Sequence, residues 1–431
     1  MTMKSVLLGA AAGIATVSVA QAADLPMTKA EAVEYVKVCS EFGPGFFYIP
    51  GTDTCLKISG NARADYTYGT ANKQNRILVN GVATSRAVDQ TAFQSRTEIQ
   101  FDARTQTDYG LLRSFLSINA VAGHSNNQTW AYGTVSGSTL SVDKAFIQFG
   151  GLTAGFAESQ YAYFDNYFGD DFFAPYFGSG YVGTKDQLAY TARFGGGFSG
   201  TLSLEDPKAY QQGVIGDTSA GTQSPDIIGN IHVDQSWGSA QIMAALHQIR
   251  TLGLVGGADP NANPRTKWGF AVGTGGSIKF PLLSGGYVAS EFDYADGASA
   301  YTGLQDNQFS PPGAPDAPDA VITASGGEKL AKSWSVSSEA GISLTPQLTA
   351  LIFGSYGKFN APAIYGDFTT YVVGDQLKYE MVKNFWIGGE VYYAGTKSDS
   401  ATPNIVDAEG DTLNKLKTGA WVAGIRVRRD Y

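Results

Sequence analysis

Two groups of side chains in this sequence would act on a polar or charged solute if they faced one another. The segment 158–184 carries Glu158, Asp165, Asp170 and Asp171 with no Lys or Arg, together with ten aromatic residues between Tyr161 and Tyr181. A second set, Lys57, Arg63, Arg96, Arg104, Arg113, Lys144 and Arg193, is basic and recurs through the first half of the chain. Carboxylates on one side of a narrow, partly dehydrated aperture and cations on the other create a transverse field, which orients dipolar solutes and disfavours apolar ones. Covalent chemistry is not expected. A hydrolase needs an activated nucleophile with its base within hydrogen-bond reach, and His124, His232 and His247 are the only histidines. No Cys/His metal spacing, phosphate-binding glycine motif or nucleophile elbow surrounds them, and Gly195-Gly196-Gly197 reads as a turn. The expectation is therefore no catalytic residue, no metal site and no cofactor.

The elements that position these groups are announced first by composition. The 431 residues are 43% hydrophobic and 16% charged, with 53 glycines and 12% aromatic residues, which fits a β-rich protein better than a helical enzyme or a disordered chain. A net charge of −9 excludes nucleic acid as a partner, because phosphate binding needs a surplus of Lys and Arg. Residues 1–22 have the form of a secretory signal: Lys4 is the one charge, an apolar run follows, and Ala20-Gln21-Ala22 supplies the cleavage pattern. The exported chain would begin at Ala23 with 29 basic and 39 acidic residues. After Ala23 no run of 18 apolar residues occurs, so no α-helix spans a bilayer. Export also implies an oxidising compartment, which permits one local disulfide between Cys39 and Cys55, 16 positions apart.

Period two then dominates. In 56–68 the even positions Ile58, Gly60, Ala62, Ala64, Tyr66 and Tyr68 are uncharged, while Lys57, Arg63 and Asp65 fall on odd ones. In 93–106 the odd positions Phe93, Thr97, Ile99 and Phe101 oppose Arg96, Glu98, Asp102 and Arg104. Such splitting places all charge on one face of a strand and lipid-compatible groups on the other. Further strands are predicted at 111–123, 139–149, 152–160, 186–194, 198–206, 226–235, 239–250, 266–280, 286–295, 331–343, 347–358, 368–381, 385–395 and 416–431, making sixteen. Seven short turns alternate with eight longer polar loops between them. Transmembrane barrels show that alternation together with an even strand number. Hydrocarbon cannot satisfy a free sheet edge, so a spanning sheet must close. The fold expected is all-β, a 16-stranded antiparallel transmembrane β-barrel over 56–431, preceded by a periplasmic segment 23–55.

Aromatic residues near strand ends, among them Tyr66, Tyr68, Tyr109, Trp237, Tyr287, Trp421 and Tyr431, suit interfacial girdles. In the last strand Trp421, Ala423, Ile425, Val427 and Tyr431 share one face opposite Arg426, Arg428 and Asp430. The aromatic end, Tyr431, is the kind of signal that outer-membrane assembly machinery reads. Lys417 and Arg429 depart from the apolar register, but near strand ends a charge costs roughly 0 to 1 kcal/mol.

The run VEYVKVCSEFGPGFFYIPGTDTCLKISGNARADY closely resembles the amino-terminal signature of alphaproteobacterial general porins of the Rhizobiales type. KAFIQFGGLTAGFAESQ, followed by an aromatic and acidic loop, looks like the fourth and fifth strands and third loop of trimeric porins. The resemblance covers essentially the whole mature chain, strongest at the amino end and weakest in the external loops. It implies a homotrimer in the outer membrane, in contact with its lipids including lipopolysaccharide, passive diffusion of small hydrophilic solutes and ions, and a third loop folded inward as a constriction. On that reading Glu158, Asp165, Asp170 and Asp171 face the basic wall across the eyelet, with a weak cation preference. Two alternatives stay open: the loop aromatics meet neighbouring subunits or external loops, or the channel is specific for a substrate such as a sugar.

Overall fold

In a computed structural model, residues 37–70, 77–79, 82–84, 90–125, 135–163, 183–254, 264–304, 317–323, 327–360, 367–398 and 417–431 are described. Sixteen long strands form the wall: β1 (Cys55–Gly69), β2 (Thr91–Thr107), β3 (Gly110–Ser125), β4 (Val135–Phe149), β5 (Leu152–Glu158), β6 (Thr184–Gly195), β7 (Phe198–Glu205) and β8 (Asp226–Gln235). They continue as β9 (Gly238–Thr251), β10 (Arg265–Phe280), β11 (Gly286–Asp296), β12 (Lys332–Ser343), β13 (Leu348–Asn360), β14 (Phe368–Val382), β15 (Phe385–Ser398) and β16 (Lys417–Asp430). Each pairs antiparallel with its sequence neighbours, and β16 pairs back onto β1 from Asn61↔Asp430 to Gly69↔Val422. The ring is closed, as the alternation of short and long connections predicts.

The seam is completed by the final residue. Tyr431 N–H donates to the Gly60 carbonyl at 3.0 Å, Gly60 N–H donates to the Tyr431 carbonyl at 3.1 Å, and the Tyr431 hydroxyl donates to the Glu98 carbonyl at 3.2 Å. A Cβ at position 60 would sit 2.0 Å from that carbonyl and 2.9 Å from the Tyr431 hydroxyl, so only glycine admits the ring there. At the same end of the barrel Cys39 and Cys55 are joined as a disulfide, and Val38 bridges Phe47 beside the pair Tyr48↔Cys55. The segment 37–54 is thereby fastened to the start of β1. Residues 1–36, including the expected signal, lie outside the described residues.

Alternation holds around the ring. On β9, Ile242 and Leu246 are exposed on the outer face, whereas Ser239, Gln241, Met243, Ala245 and His247 are buried on the inner one. Exposed aromatics mark both rims of the outer surface, with Tyr68, Phe93, Trp268, Tyr356 and Trp421 toward the long connections and Tyr109, Phe194, Phe198, Trp237 and Tyr379 toward the short turns. Tyr287 does not join this girdle. It shares the register of Ala289 and Glu291, points inward, and donates from its hydroxyl to Glu339 Oε1 at 2.6 Å. The long connections also contain structure of their own: Val214–Ile215 runs parallel to Ala320–Ile322, which pairs antiparallel with Glu328–Leu330.

One charge breaks the outer pattern away from the rims. Asp375 is exposed on the outward face of β14, between Tyr371 and Tyr379 along the strand and between Ile352 and Val391 across it. A basic side chain at such depth costs roughly 2 to 4 kcal/mol, and a carboxylate less. Asp375→Leu is expected to raise the unfolding free energy of the vesicle-embedded barrel by about 1 kcal/mol, read as a higher urea midpoint. A lowered midpoint would mean that a polar partner covers this face.

Candidate functional site

Cationic residues on the inner wall gather on adjacent strands because inward positions of paired strands stand opposite one another. Register places Arg63 between Arg96 on β2 and Arg428 on β16, and Arg104 directly opposite Arg113 on β3. Like charges directly opposed are destabilising, and here carboxylates are interleaved. Asp102 Oδ1 accepts from Arg104 Nε and Arg113 Nε, both at 3.0 Å, while Asp102 Oδ2 accepts from Arg104 Nη2 at 2.8 Å and Arg113 Nη2 at 3.0 Å. Asp65 does the same nearer the long-connection end of β1, 2.7 Å from Arg426 Nε and 3.2 Å from Arg63 Nε. Arg428 pairs with Asp430 at 2.7 Å. Several of these side chains keep part of their surface in water, where an ion pair contributes about 0 to 1 kcal/mol. The arrangement therefore orients guanidinium groups more than it stabilises the barrel.

A local irregularity adds a further carboxylate. Successive strand residues point to opposite faces, yet both Asp143 and Lys144 reach inward. Register shifts between Ser117 and Ile118, opposite Lys144 and Val142, and leaves Asp143 as the extra residue of a bulge. Asp143 accepts from Asn119 Nδ2 at 2.9 Å and lies 3.9 Å from Arg96 Nη2, whose Nε donates to Asn119 Oδ1 at 3.0 Å. Lys144 Nζ meets Glu158 Oε2 at 3.0 Å.

The basic residues expected from the sequence thus divide by height. Arg63 and Arg96 lie at the middle of the wall. Arg104, Arg113 and Lys57 cluster toward the short-turn end, where Arg104 stands 5.0 Å over the Phe46 ring and Lys57 5.9 Å from it. Arg113 covers the stacked pair Phe115 and Phe146. Arg193 is apart from this group, exposed near the Gly196-Gly197 turn. Asp165, Asp170 and Asp171 lie outside the described residues. Sequence reasoning left Arg426 and Arg428 out of the site, although their alternation with Trp421 and Ile425 was the available signal.

In a ring of sixteen strands β1–β3 stand across from β9–β11, and that opposite wall is acidic. It presents Glu291 and Asp293 on β11, with Glu339 on β12, all buried. Against it lie the first residues of the connection after β5. Gln160 N–H donates to Glu205 Oε1 at 2.9 Å, Asn230 Nδ2 donates to the Gln160 carbonyl at 2.6 Å, and the Tyr163 hydroxyl shares a 2.9 Å hydrogen bond with Ser239 Oγ. Tyr161 and Tyr163 are fully buried. Burial, followed by the carboxylates of Asp293 and Glu291, pushes the Tyr161 hydroxyl well above its ordinary range, so it stays a neutral donor. The stem of this connection therefore crosses the inner wall from β5 toward β11 instead of rising into solvent.

Its seat is glycine. A Cβ on Gly275 would stand 2.1 Å from the Tyr163 ring, whereas one on the outward Gly276 meets only Ser239 O at 3.7 Å. Gly275→Val is expected to displace Tyr163 and cost about 1 to 3 kcal/mol, measured by equilibrium denaturation in detergent, with Gly276→Val close to wild type. Equal effects of the two substitutions would refute the seat.

A family model of the porin subfamily matches residues 24–425. Porin Omp2b of Brucella canis is 33% identical over 253 residues, which is 58% of this chain and 67% of that protein. Porin Omp2b of Brucella melitensis is 32% identical over 255 residues, with the same shares. Among solved structures, the outer membrane channel DcaP of Acinetobacter baumannii is similar with a TM-score of 0.64 and 14% identity, over 89% of this chain and 99% of that one, a likeness of fold.

Proposed function

The chain belongs to the porin subfamily, and from that premise we propose that it forms a water-filled channel across the bacterial outer membrane for passive diffusion of small hydrophilic solutes and ions. The observation that carries this reading is the closed ring with an apolar outer face and an inner wall of part-exposed, interleaved Arg and Asp residues. A solute moving along β1–β4 meets oriented charge on that side and, on the other, the third connection, whose stem covers the buried carboxylates of β11 and β12.

The third connection, 159–183, completes the constriction in this proposal. Its stem already leans on the inner wall, and Glu158, at its root, is tied to Lys144. Folded further inward, Asp165, Asp170 and Asp171 bring carboxylates to the eyelet. Because Asp65, Asp102, Asp143 and Asp430 neutralise much of the basic ladder, those loop carboxylates tip the balance toward cations. The preference is weak and fades with salt, since screening reaches about 10 Å at 0.1 M. Export with cleavage after Ala22, a periplasmic segment 23–55 and recognition of Tyr431 by the assembly machinery belong to the same proposal.

A homotrimer is supported by the outer surface of β1–β3, where Ala62, Ala64, Ser95, Thr97, Ala120 and Ala122 floor a shallow groove bordered by Leu140 and Phe385. Small side chains let two walls approach closely. A second reading, a sugar-specific channel, draws on one feature: Phe115 and Phe146 bring two aromatic rings to the inner wall under Arg113, a residue combination that suits a sugar ring and its hydroxyls.

Liposome swelling with sugars of graded size is expected to show a size cutoff without saturation. Block of single-channel current by a sugar at low concentration would favour the second reading, and absence of any current in planar bilayers would sink both. Asp170→Asn with Asp171→Asn is expected to move the reversal potential in a salt gradient toward lower cation preference. An unchanged potential would remove these two carboxylates from the eyelet.

A further inference from the structure

We propose that Tyr301 is a positioning residue for the constriction, holding the root of the third connection from the long-connection side and thereby setting the aperture; this rests on the channel reading above. Tyr301 lies in the short 3₁₀ turn Ser299–Thr302 of the connection between β11 and β12, and is completely buried inside the barrel. Its ring meets Tyr161 edge-on, with centroids 4.8 Å apart, and stacks on Tyr210 of the connection between β7 and β8 at 4.3 Å. Three long connections therefore converge on one ring.

The ring is held from behind by buried groups of the wall. Tyr301 donates from its hydroxyl to Asp226 Oδ2 at 2.7 Å, and both oxygens of Asp226 lie 2.9 Å from His247 Nδ1. The other nitrogen of His247 is 3.7 Å from Asp319 Oδ2. Asp319 in turn accepts from Gln212 N–H at 2.8 Å and from Ser299 N–H at 3.1 Å, which fastens both external connections at the start of their shared sheet. Lys185 closes the cluster, its ammonium 3.4 Å above the Tyr210 ring. Buried carboxylates persist only when paired and hydrogen-bonded, so this cluster has a narrow set of geometries. It passes that definition to Tyr301 mainly through the backbone, since Asp319 holds the Ser299 N–H of the same turn.

Position decides what is controlled. On β10, Tyr161 packs at Gly273, while His247 pairs with Gly269, four residues nearer the long-connection end. Tyr301 thus covers Tyr161 from above, and Tyr161 is two residues before Tyr163 and four before Asp165. A stem free to lift at Tyr161 moves every eyelet group that follows it.

The test is single-channel recording in planar bilayers, with the heat-modifiable shift in gel mobility as the check on folding. Tyr301→Ala is expected to raise mean conductance and open-channel noise. Tyr301→Phe, which keeps the ring between Tyr161 and Tyr210, is expected to stay at the wild-type conductance. A folded Tyr301→Ala channel with wild-type conductance and noise would overturn the proposal, as would Tyr301→Phe departing as far as Tyr301→Ala. Should Tyr301→Ala not fold, Asp319→Ala takes its place, because it releases the Ser299 N–H, and with it the turn that carries Tyr301, without touching Tyr161; a folded, unaltered Asp319→Ala channel would then overturn it. Failure of the wild-type protein to conduct at all would instead refute the channel reading.

Discussion

Everything in this protein depends on the rule that a backbone N–H or C=O inside hydrocarbon must find its partner in the same sheet. Sixteen strands satisfy it only because β16 returns to β1. The seam runs over nine residue pairs and is carried one step further by Tyr431 with Gly60. An even number of strands brings both ends of the wall to the short-turn side. The disulfide-closed segment 37–54 is on that side for the same reason, and can fasten to β1 without crossing the opening.

Closure creates a second problem. A wall of this circumference is too wide for its own side chains to fill, and an open lumen would leave inner apolar residues such as Ala271, Ala289, Val372 and Tyr392 wet. These residues are instead buried in one cluster with Tyr161, Tyr163, Tyr301 and Leu304, all from the long connections. Much of the wall is covered by folded chain, and the five strands from β16 through β4 keep several of their charged groups part-exposed. The path for solute is an outcome of that asymmetry.

The strands and their order were legible because period two repeats over ten or more residues, a signal that a single substitution cannot erase. Height along the barrel was not. Arg104 and Arg113 belong to separate strand segments in the sequence, yet pairing sets them directly opposite because β3 begins at Gly110. Bulges are equally silent: adjacent Asp143 and Lys144 look like residues of opposite faces until the register shift turns both inward. Tyr287 was misplaced because an aromatic near a strand end suits a girdle, and only its parity with Glu291 shows the inward turn. The contacts of Asp226, His247, Tyr301 and Asp319 join residues up to 75 positions apart, and no local pattern encodes such a meeting.

The interleaving of charge on the wall bears on what kind of selectivity such a surface can produce. Two unit charges 4 Å apart interact by about 1 kcal/mol in bulk water and about 4 kcal/mol near a protein surface. Unshielded, Arg104 beside Arg113 would scatter their guanidinium groups into whatever water is available. With Asp102 between them both planes are fixed, and half of the pair's net charge is cancelled. The ladder then acts on passing solute chiefly as an array of oriented dipoles, whose field decays faster with distance than that of a bare charge. Its reach is limited to a solute close to the wall, so in the proposed channel discrimination by this surface would depend on how closely an inward-folded third connection presses the solute against it. The aperture and the electrostatics are for that reason one property, and a change that widens the first weakens the second.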